Sequence, residues 1–183
     1  MLERDFFLRN THTVAQELLG KYLYRQIDGQ LFRGIISETE AYHGPEDLAC
    51  HCAKGKTPRT EVMFEKGGKI YVYLIYGMYD MLNFTTMEEG FPAAVLIRGV
   101  MQPEILQDGK FVPLPVKTDG PGKLTKHFRI TRELNKNLIH PKTGLWVEES
   151  RIKPVEIIRT PRIGVDYAGP WKEKPWRYLI KKL

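Results

Sequence analysis

Only two cysteines occur in the 183-residue chain, Cys50 and Cys52. One residue separates them, a spacing too tight for an ordinary structural disulfide, and no other cysteine can pair with either. Reduced thiols and an intracellular setting are therefore expected. No apolar run approaches the ~20 residues that a membrane helix needs. The first ten residues carry acids and lack an apolar stretch ending in a small-residue cleavage site, so no secretory leader is read there. The expected location is the cytoplasm of a bacterium or, in a eukaryote, the nucleus. Internal repeats and low-complexity tracts are missing. So are a phosphate-binding P-loop, a GxGxxG turn and a GxSxG elbow.

Cys50-His51-Cys52 invites a metal reading. Zinc sites usually draw four ligands from two separated pairs, and this sequence has no second pair. The H-x-E…P-C-x-x-C pattern of zinc deaminases is also absent. No metal is expected, and His51 is read as a neutral histidine in a pocket.

Hydrophobic residues make up 42% of the chain and charged residues 27%, the balance of one globular domain spanning residues 1–183 with a sizeable core. Lys and Arg number 28 against 22 Asp and Glu, for a net charge of +6. A basic surface favours phosphate-rich partners through counterion release, although many basic proteins bind no nucleic acid.

The apolar pattern predicts a helix over residues 13–19, with Asn10, Thr11 or Thr13 as its cap and Gly20 as its stop. Strands are predicted over 21–25 and 31–42 around an Asp28-Gly29 turn, then over 69–76, 81–86 and 93–100. A short helix is expected over 123–128, and later strands over 145–147, 155–159 and 176–181. The sum is a mostly β, α+β single domain.

Within Ile36-Ser37-Glu38-Thr39-Glu40-Ala41-Tyr42, alternation puts Ile36, Glu38, Glu40 and Tyr42 on one strand face. Two carboxylates about 7 Å apart beside an aromatic ring suit hydrolysis of a glycosidic bond, where a base activates water. The same pattern also fits a solvated strand face. In Tyr71-Val72-Tyr73-Leu74-Ile75-Tyr76-Gly77, the residues Tyr71, Tyr73 and Ile75 share a face, and Tyr71 reads as core. Tyr76 falls at a hairpin tip, where a bulky ring can wedge between base pairs. Arg98 lies in an apolar run and needs an acid partner, for which Glu38 or Glu40 would serve. Gly120-Pro121-Gly122-Lys123-Leu124-Thr125-Lys126 places two lysines at a helix start, which reads either as a phosphate seat or as a plain junction.

Taken together, these blocks resemble the alkyladenine (3-methyladenine) DNA glycosylase family. The likeness runs from Leu18-Leu19-Gly20 through Glu38-Thr39-Glu40-Ala41-Tyr42-His43-Gly44-Pro45-Glu46-Asp47 and Thr57-Pro58-Arg59. It continues through Tyr71-Val72-Tyr73-Leu74-Ile75-Tyr76-Gly77-Met78-Tyr79, Asn83, residues 95–98 and Gly120-Pro121-Gly122-Lys123-Leu124. It closes on Arg162-Ile163-Gly164-Val165 and Lys174-Pro175-Trp176-Arg177-Tyr178. The resemblance implies a curved antiparallel sheet with surrounding helices and a protruding, DNA-intercalating β-hairpin. It implies a monofunctional enzyme that flips alkylated or deaminated purines out of duplex DNA and leaves an abasic site. The lesions implied are 3-methyladenine, 7-methylguanine, hypoxanthine and ethenoadenine.

By the same resemblance, Glu40 is the general base and Arg98 helps hold the attacking water. Tyr42, His51 and Tyr73 sandwich the flipped base, and Asn83 lines the pocket against a guanine amino group. Tyr76 is the intercalator, with Met78, Thr57, Arg59, Lys123 and Lys126 along the DNA. The resemblance implies no cofactor, and a monomer suffices for the reaction. The chain departs from the family's pattern in placing Gly122 where a hydroxyl residue is common and His43 where an apolar one is. Two rivals fit parts of the pattern: a non-catalytic nucleic-acid-binding domain, and a carbohydrate glycosidase using Glu38 and Glu40. The first leaves an acid facing DNA without a purpose, and the second leaves the basic surface unexplained.

Overall fold

Asn10 starts the main N-terminal helix by accepting, on its side-chain oxygen, the backbone N–H groups of His12 at 3.0 Å and Thr13 at 3.4 Å. The structure is a computed structural model that describes residues 1–182. In it a short helix α1 (Arg4–Phe7), not foreseen in the sequence, precedes α2 (Thr11–Glu17). The cap draws α2 back toward Asn10, two residues ahead of the apolar stripe that suggested its start.

Among the described residues, nine strands form one open antiparallel sheet. They are β1 (Tyr22–Ile27), β2 (Gln30–His43), β3 (Ile70–Ile75), β4 (Tyr79–Thr85), β5 (Ala93–Gln107), β6 (Lys110–Pro113), β7 (Leu145–Glu148), β8 (Glu156–Thr160) and β9 (Arg177–Lys182). The main path is β3-β4-β5-β2-β1-β7, with β6 on β5, β9 on β2 and β8 on β9. Every strand read from the sequence is present. The one overlooked is β6: the Asp108-Gly109 pair closes a hairpin with Gln107 opposite Lys110, where proline-rich neighbours suggested a loop. A third helix, α3 (Pro121–His127), begins two residues before its expected start because Pro121 is suited to a first helical turn.

Strand alternation sorts the sheet into two faces. Ile70, Val72, Leu82, Phe84, Val95, Ile97, Ile36 and Ala41 join the main core with the buried sides of α2 and α3. On that side the Thr39 hydroxyl donates to the Ala15 carbonyl of α2 at 2.8 Å. The opposite face carries Tyr71, Asn83, Leu96 and Glu40. These four stand in one row across four strands, since Tyr71 pairs with Asn83, Asn83 with Leu96, and Leu96 with Glu40.

The β2–β5 ladder is irregular where this matters most. Ile36 faces Val100 and Glu38 faces Gly99, which leaves Ser37 as an extra residue; Thr39 then faces Ile97, which leaves Arg98 as another. A bulge re-aims a side chain, and here it turns Arg98 out of the apolar run toward the carboxylates of β2.

One expectation is corrected. Cys50 and Cys52 are joined as a disulfide, so the reduced pair inferred from tight spacing does not hold. Cys50 is extended (φ −75°, ψ 135°) and the chain then turns into a 3-10 helix at His51. That bend sets the two Cα atoms 5.1 Å apart, within the roughly 4.4–6.8 Å that disulfides span.

Candidate active site

Glu40 is fully buried, and its carboxylate is held on both oxygens. Oε2 accepts the Tyr42 hydroxyl at 2.8 Å and Oε1 accepts the Ile163 backbone N–H at 2.8 Å. Arg98 Nε stands 3.5 Å from the same Oε1 but donates to Glu38 Oε1 at 2.8 Å. Glu38 Oε1 also accepts Arg177 Nε at 2.6 Å. Both acids thus meet Arg98, and the solvated-face reading of the pair fails for Glu40.

Burial pushes the Glu40 carboxyl above its usual range, against the opposing pull of Arg98, the Ile163 N–H and the Tyr42 hydroxyl. Burial, and then the adjacent Glu40 charge, push the Tyr42 phenol well up. For Arg98, burial works against the charge, but Glu40 and Glu38 outweigh it and raise its value.

The three groups around the Glu40 carboxylate, Tyr42, Arg98 and Ile163, line a cavity of about 450 Å³ whose walls also include His51, Tyr71, Tyr73 and Asn83. That volume falls within the range of small-ligand sites, and aromatic walls with a few convergent polar groups are their usual lining. His51 enters from the 3-10 turn after Cys50, and its ring meets Tyr73 edge-on with centroids 4.5 Å apart. Its Nδ1 pairs with the Tyr71 hydroxyl at 3.1 Å. Burial, together with the nearby Arg59 and Lys54 charges, lowers His51 to about 4, so the ring is neutral at physiological pH. His51 thus stands in the cavity wall. Asn83 Nδ2 donates to the Tyr71 and Met81 carbonyls, each at 3.2 Å, which fixes the amide in the wall.

The β3–β4 hairpin stands at the mouth of this cavity. Ile75 pairs with Tyr79, so the tip is Tyr76-Gly77-Met78. Tyr76 is 82% exposed, and Met78 is exposed as well. Both Tyr76 (φ 52°) and Gly77 (φ 70°) lie in the left-handed region. Glycine takes that conformation freely, whereas a tyrosine there is uncommon and at some cost in backbone energy. Stability selects neither a strained backbone nor a solvated ring at this position.

The remaining sequence candidates sit around the rim or beyond it. Arg59 is exposed, with its guanidinium over the Tyr73 ring at 4.9 Å. Thr57 shapes its own turn through a 3.0 Å hydroxyl contact with Thr60. Lys123 and Lys126 are exposed on α3, and Lys123 Nζ pairs with Asp119 at 2.9 Å.

Several working residues escaped sequence reasoning. Arg162 meets Asp47 through both terminal nitrogens, and its guanidinium lies 4.8 Å from the Tyr42 ring and 4.9 Å from the Trp176 ring. This anchor holds the adjacent Ile163 N–H on Glu40. Tyr167 is 68% exposed at the cavity edge, yet its hydroxyl donates to the Ala49 carbonyl at 3.2 Å. Asp47 and Arg162 lie 115 positions apart. The only local signal was a charged residue within each of two otherwise uncharged or turn-like stretches.

Comparison with known proteins follows the same blocks. The profile of the family described as Methylpurine-DNA glycosylase (MPG) matches residues 5–183. A Myxococcus xanthus protein named "Putative 3-methyladenine DNA glycosylase" is 46% identical over 185 residues, covering 98% of this chain and 90% of that protein. Proteins of the same name from Methanocella arvoryzae and Wolbachia pipientis wMel are 45% and 48% identical. They cover 99% and 97% of this chain, and 92% and 90% of their own lengths.

Proposed function

Because the chain belongs to the methylpurine-DNA glycosylase family, whose members hydrolyse N-glycosyl bonds in DNA, we propose that it removes damaged purines by a water activated on Glu40. The observation that carries this reading is one fully buried carboxylate, hydrogen-bonded to the Tyr42 and Ile163 that line an aromatic cavity, with a cation 3.5 Å away and a raised affinity for protons. A base kept less acidic than a solvated glutamate accepts a proton from water more readily.

In this reading the damaged nucleotide leaves the duplex and its base enters between Tyr42 on one side and His51 and Tyr73 on the other. Each stacking contact contributes roughly 1–3 kcal/mol, against a few kcal/mol for unstacking. Glu40 takes a proton from water as the water oxygen bonds to C1′. The C1′–N bond breaks, and its electron pair leaves with the base. Arg98 helps hold the water, and the product is an abasic site in an uncut strand. A neutral His51 suits a stacking role, since a protonated ring would repel an already cationic alkylpurine.

Asn83, fixed in the wall, would exclude purines carrying a guanine-type amino group. Tyr76 would fill the gap left in the duplex, with Met78 beside it. Thr57, Arg59, Lys123 and Lys126 would meet the backbone, Arg59 chiefly through its hold on Tyr73. Expected substrates are 3-methyladenine, 7-methylguanine, hypoxanthine and ethenoadenine in double-stranded DNA, processed by a monomer without a cofactor.

The test is single-turnover base release from a duplex containing hypoxanthine or 3-methyladenine, with wild type and Glu40→Gln. Release by the wild type and a loss of at least about a hundredfold in the variant support the reading. Binding without release by either protein would overturn it.

A further inference from the structure

Arg98 carries a geometric oddity. Its nearest approach to Glu40 is 3.5 Å through Nε, while the same Nε donates at 2.8 Å to Glu38. Glu38 in turn is shared, because its Oε1 also accepts Arg177 Nε at 2.6 Å. One carboxylate on β2 therefore ties together arginines from β5 and β9, both mostly buried. Glu38 pairs with Gly99 of β5 and Leu179 of β9, so it is the residue where the three strands meet. Among the described residues, the terminal nitrogens of Arg98 meet no protein acceptor, and the side chain lines the cavity.

We propose that Glu38 is a positioning residue for base release: by taking the Nε–H of Arg98 in common with Arg177, it keeps Arg98 out of a hydrogen-bonded pair with Glu40. Glu40 then retains its basicity, and the outer edge of Arg98 stays turned to the cavity. The inference rests on the glycosylase reading and deepens it. A guanidinium that closed onto Glu40 would make a short, charge-assisted pair, the strongest kind of hydrogen bond a carboxylate forms. Such a pair would lower Glu40's affinity for a proton and consume the donors meant for water.

The groups facing Glu40 are few. Tyr42 and Glu38 come from β2, Arg98 from β5 and Tyr73 from β3; the Ile163 N–H comes from the loop whose Arg162 is engaged with Asp47. Arg177 of β9 pairs with Glu40 through the ladder, while its side chain goes to Glu38. Of these, the Glu38 charge raises Glu40's proton affinity and Arg98 lowers it. Removing Glu38 therefore acts twice in one direction, by deleting a like charge and by freeing Arg98 to approach.

The experiment is the pH profile of single-turnover hypoxanthine release for wild type, Glu38→Gln and Arg177→Met, with folding checked by circular dichroism. Glu38→Gln should move the acid limb about one pH unit lower and reduce the plateau about tenfold. Arg177→Met should move the limb the other way, because Glu38's charge is no longer shared. A role confined to holding three strands together would change stability and plateau but leave the limb in place. Folded variants that both keep the wild-type limb overturn the proposal; if Glu38→Gln does not fold, Arg177→Met decides alone. A wild type that releases no base sinks the glycosylase reading instead. In that case a carbon-13 titration of the Glu40 carboxyl, which needs no substrate, should still show the two opposite shifts, and their absence overturns this inference by itself.

Discussion

Arg162 and Asp47 form a two-pronged ion pair, 2.6 and 2.8 Å long, with both side chains closed off from solvent. Arg162 also donates to the Ala41 carbonyl at 2.9 Å, so a single side chain ties the loop ending at Asp47, strand β2 and the segment that supplies the Ile163 N–H. Removing one partner strands the other as a buried charge, which typically costs about 3–5 kcal/mol. Asp47→Asn or Arg162→Met should lower the melting temperature by about 10 °C in a domain of this size. The double variant should lose less than the sum of the singles, and additive losses in thermal melts would show that the two do not act as a unit.

Glu40 links stability and activity with opposite signs. Its proton affinity is raised in the fold, so its stabilising contribution is present while it is protonated and is lost as pH rises through the raised value. Glu40→Gln should therefore melt higher than wild type at neutral pH while losing base release. In the wild type, release should fall on acidification at a pH above the ordinary carboxylate range, since the base must be ionised. A variant that melts lower than wild type would contradict this account of the burial.

His12 provides a separate pH handle and is not itself part of the cavity wall. Burial, followed by the neighbouring His43 and Arg162 charges, lowers it from 6.5 to about 4. Its ring packs on Trp176, and its Nδ1 pairs with the Tyr178 hydroxyl at 2.9 Å. The unfolded chain binds this proton at a higher pH than the fold does, so stability should rise as pH increases from about 4 to 6.5. Melting temperatures across that window should show the rise, and His12→Asn should flatten it.

Tyr76 makes the opposite kind of prediction. At 82% exposure it contributes little to packing, so Tyr76→Ala should leave stability within about 0.5 kcal/mol. Loss of one stacking contact with duplex DNA, roughly 1–3 kcal/mol, should weaken processing of damaged duplex by about 5- to 150-fold. A flipped nucleotide in single-stranded DNA leaves no gap to fill, so the defect should shrink there. Equal defects on both substrates would argue against a wedge.

Gly122 stands against the Tyr79 ring. A Cβ built there would lie 2.8 Å from Tyr79 Cδ1 and 3.1 Å from Cγ, near the root of the side chain where it cannot easily swing away. Gly122→Ser should destabilise the protein by about 1–3 kcal/mol through overpacking, and Tyr79→Ala should relieve most of that cost in the double variant. Chemical denaturation of the three variants measures the coupling.

Much of this fold was readable along the chain. The period-two alternation in Tyr71-Val72-Tyr73 separated cavity from main core, although Tyr71, read as core, also lines the cavity. In β2 the alternation held from Glu38 to Tyr42 but failed for Ile36, expected on the same face: the Ser37 bulge turns Ile36 into the main core. The Asp28-Gly29 and Tyr76-Gly77 turns were legible from residue preference. Asp108-Gly109 carried the same signal but was masked by the nearby prolines. The Cys50–Cys52 bridge was not legible, since the bend that brings those residues together belongs to the His51 turn.

The sequence by itself determined the two faces of β3, the hairpin tip and the block pattern that marks the family, all of which follow from local periodicity and short motifs. Tertiary structure alone decided that Glu40 is sealed rather than solvated, that Arg98 answers to Glu38 before Glu40, and that Arg162 reaches Asp47. Those outcomes depend on paired bulges at Ser37 and Arg98 and on contacts across 60 to 123 positions. A bulge shifts a side chain by changing which residue faces which on a partner strand. No property of either strand alone reports that pairing.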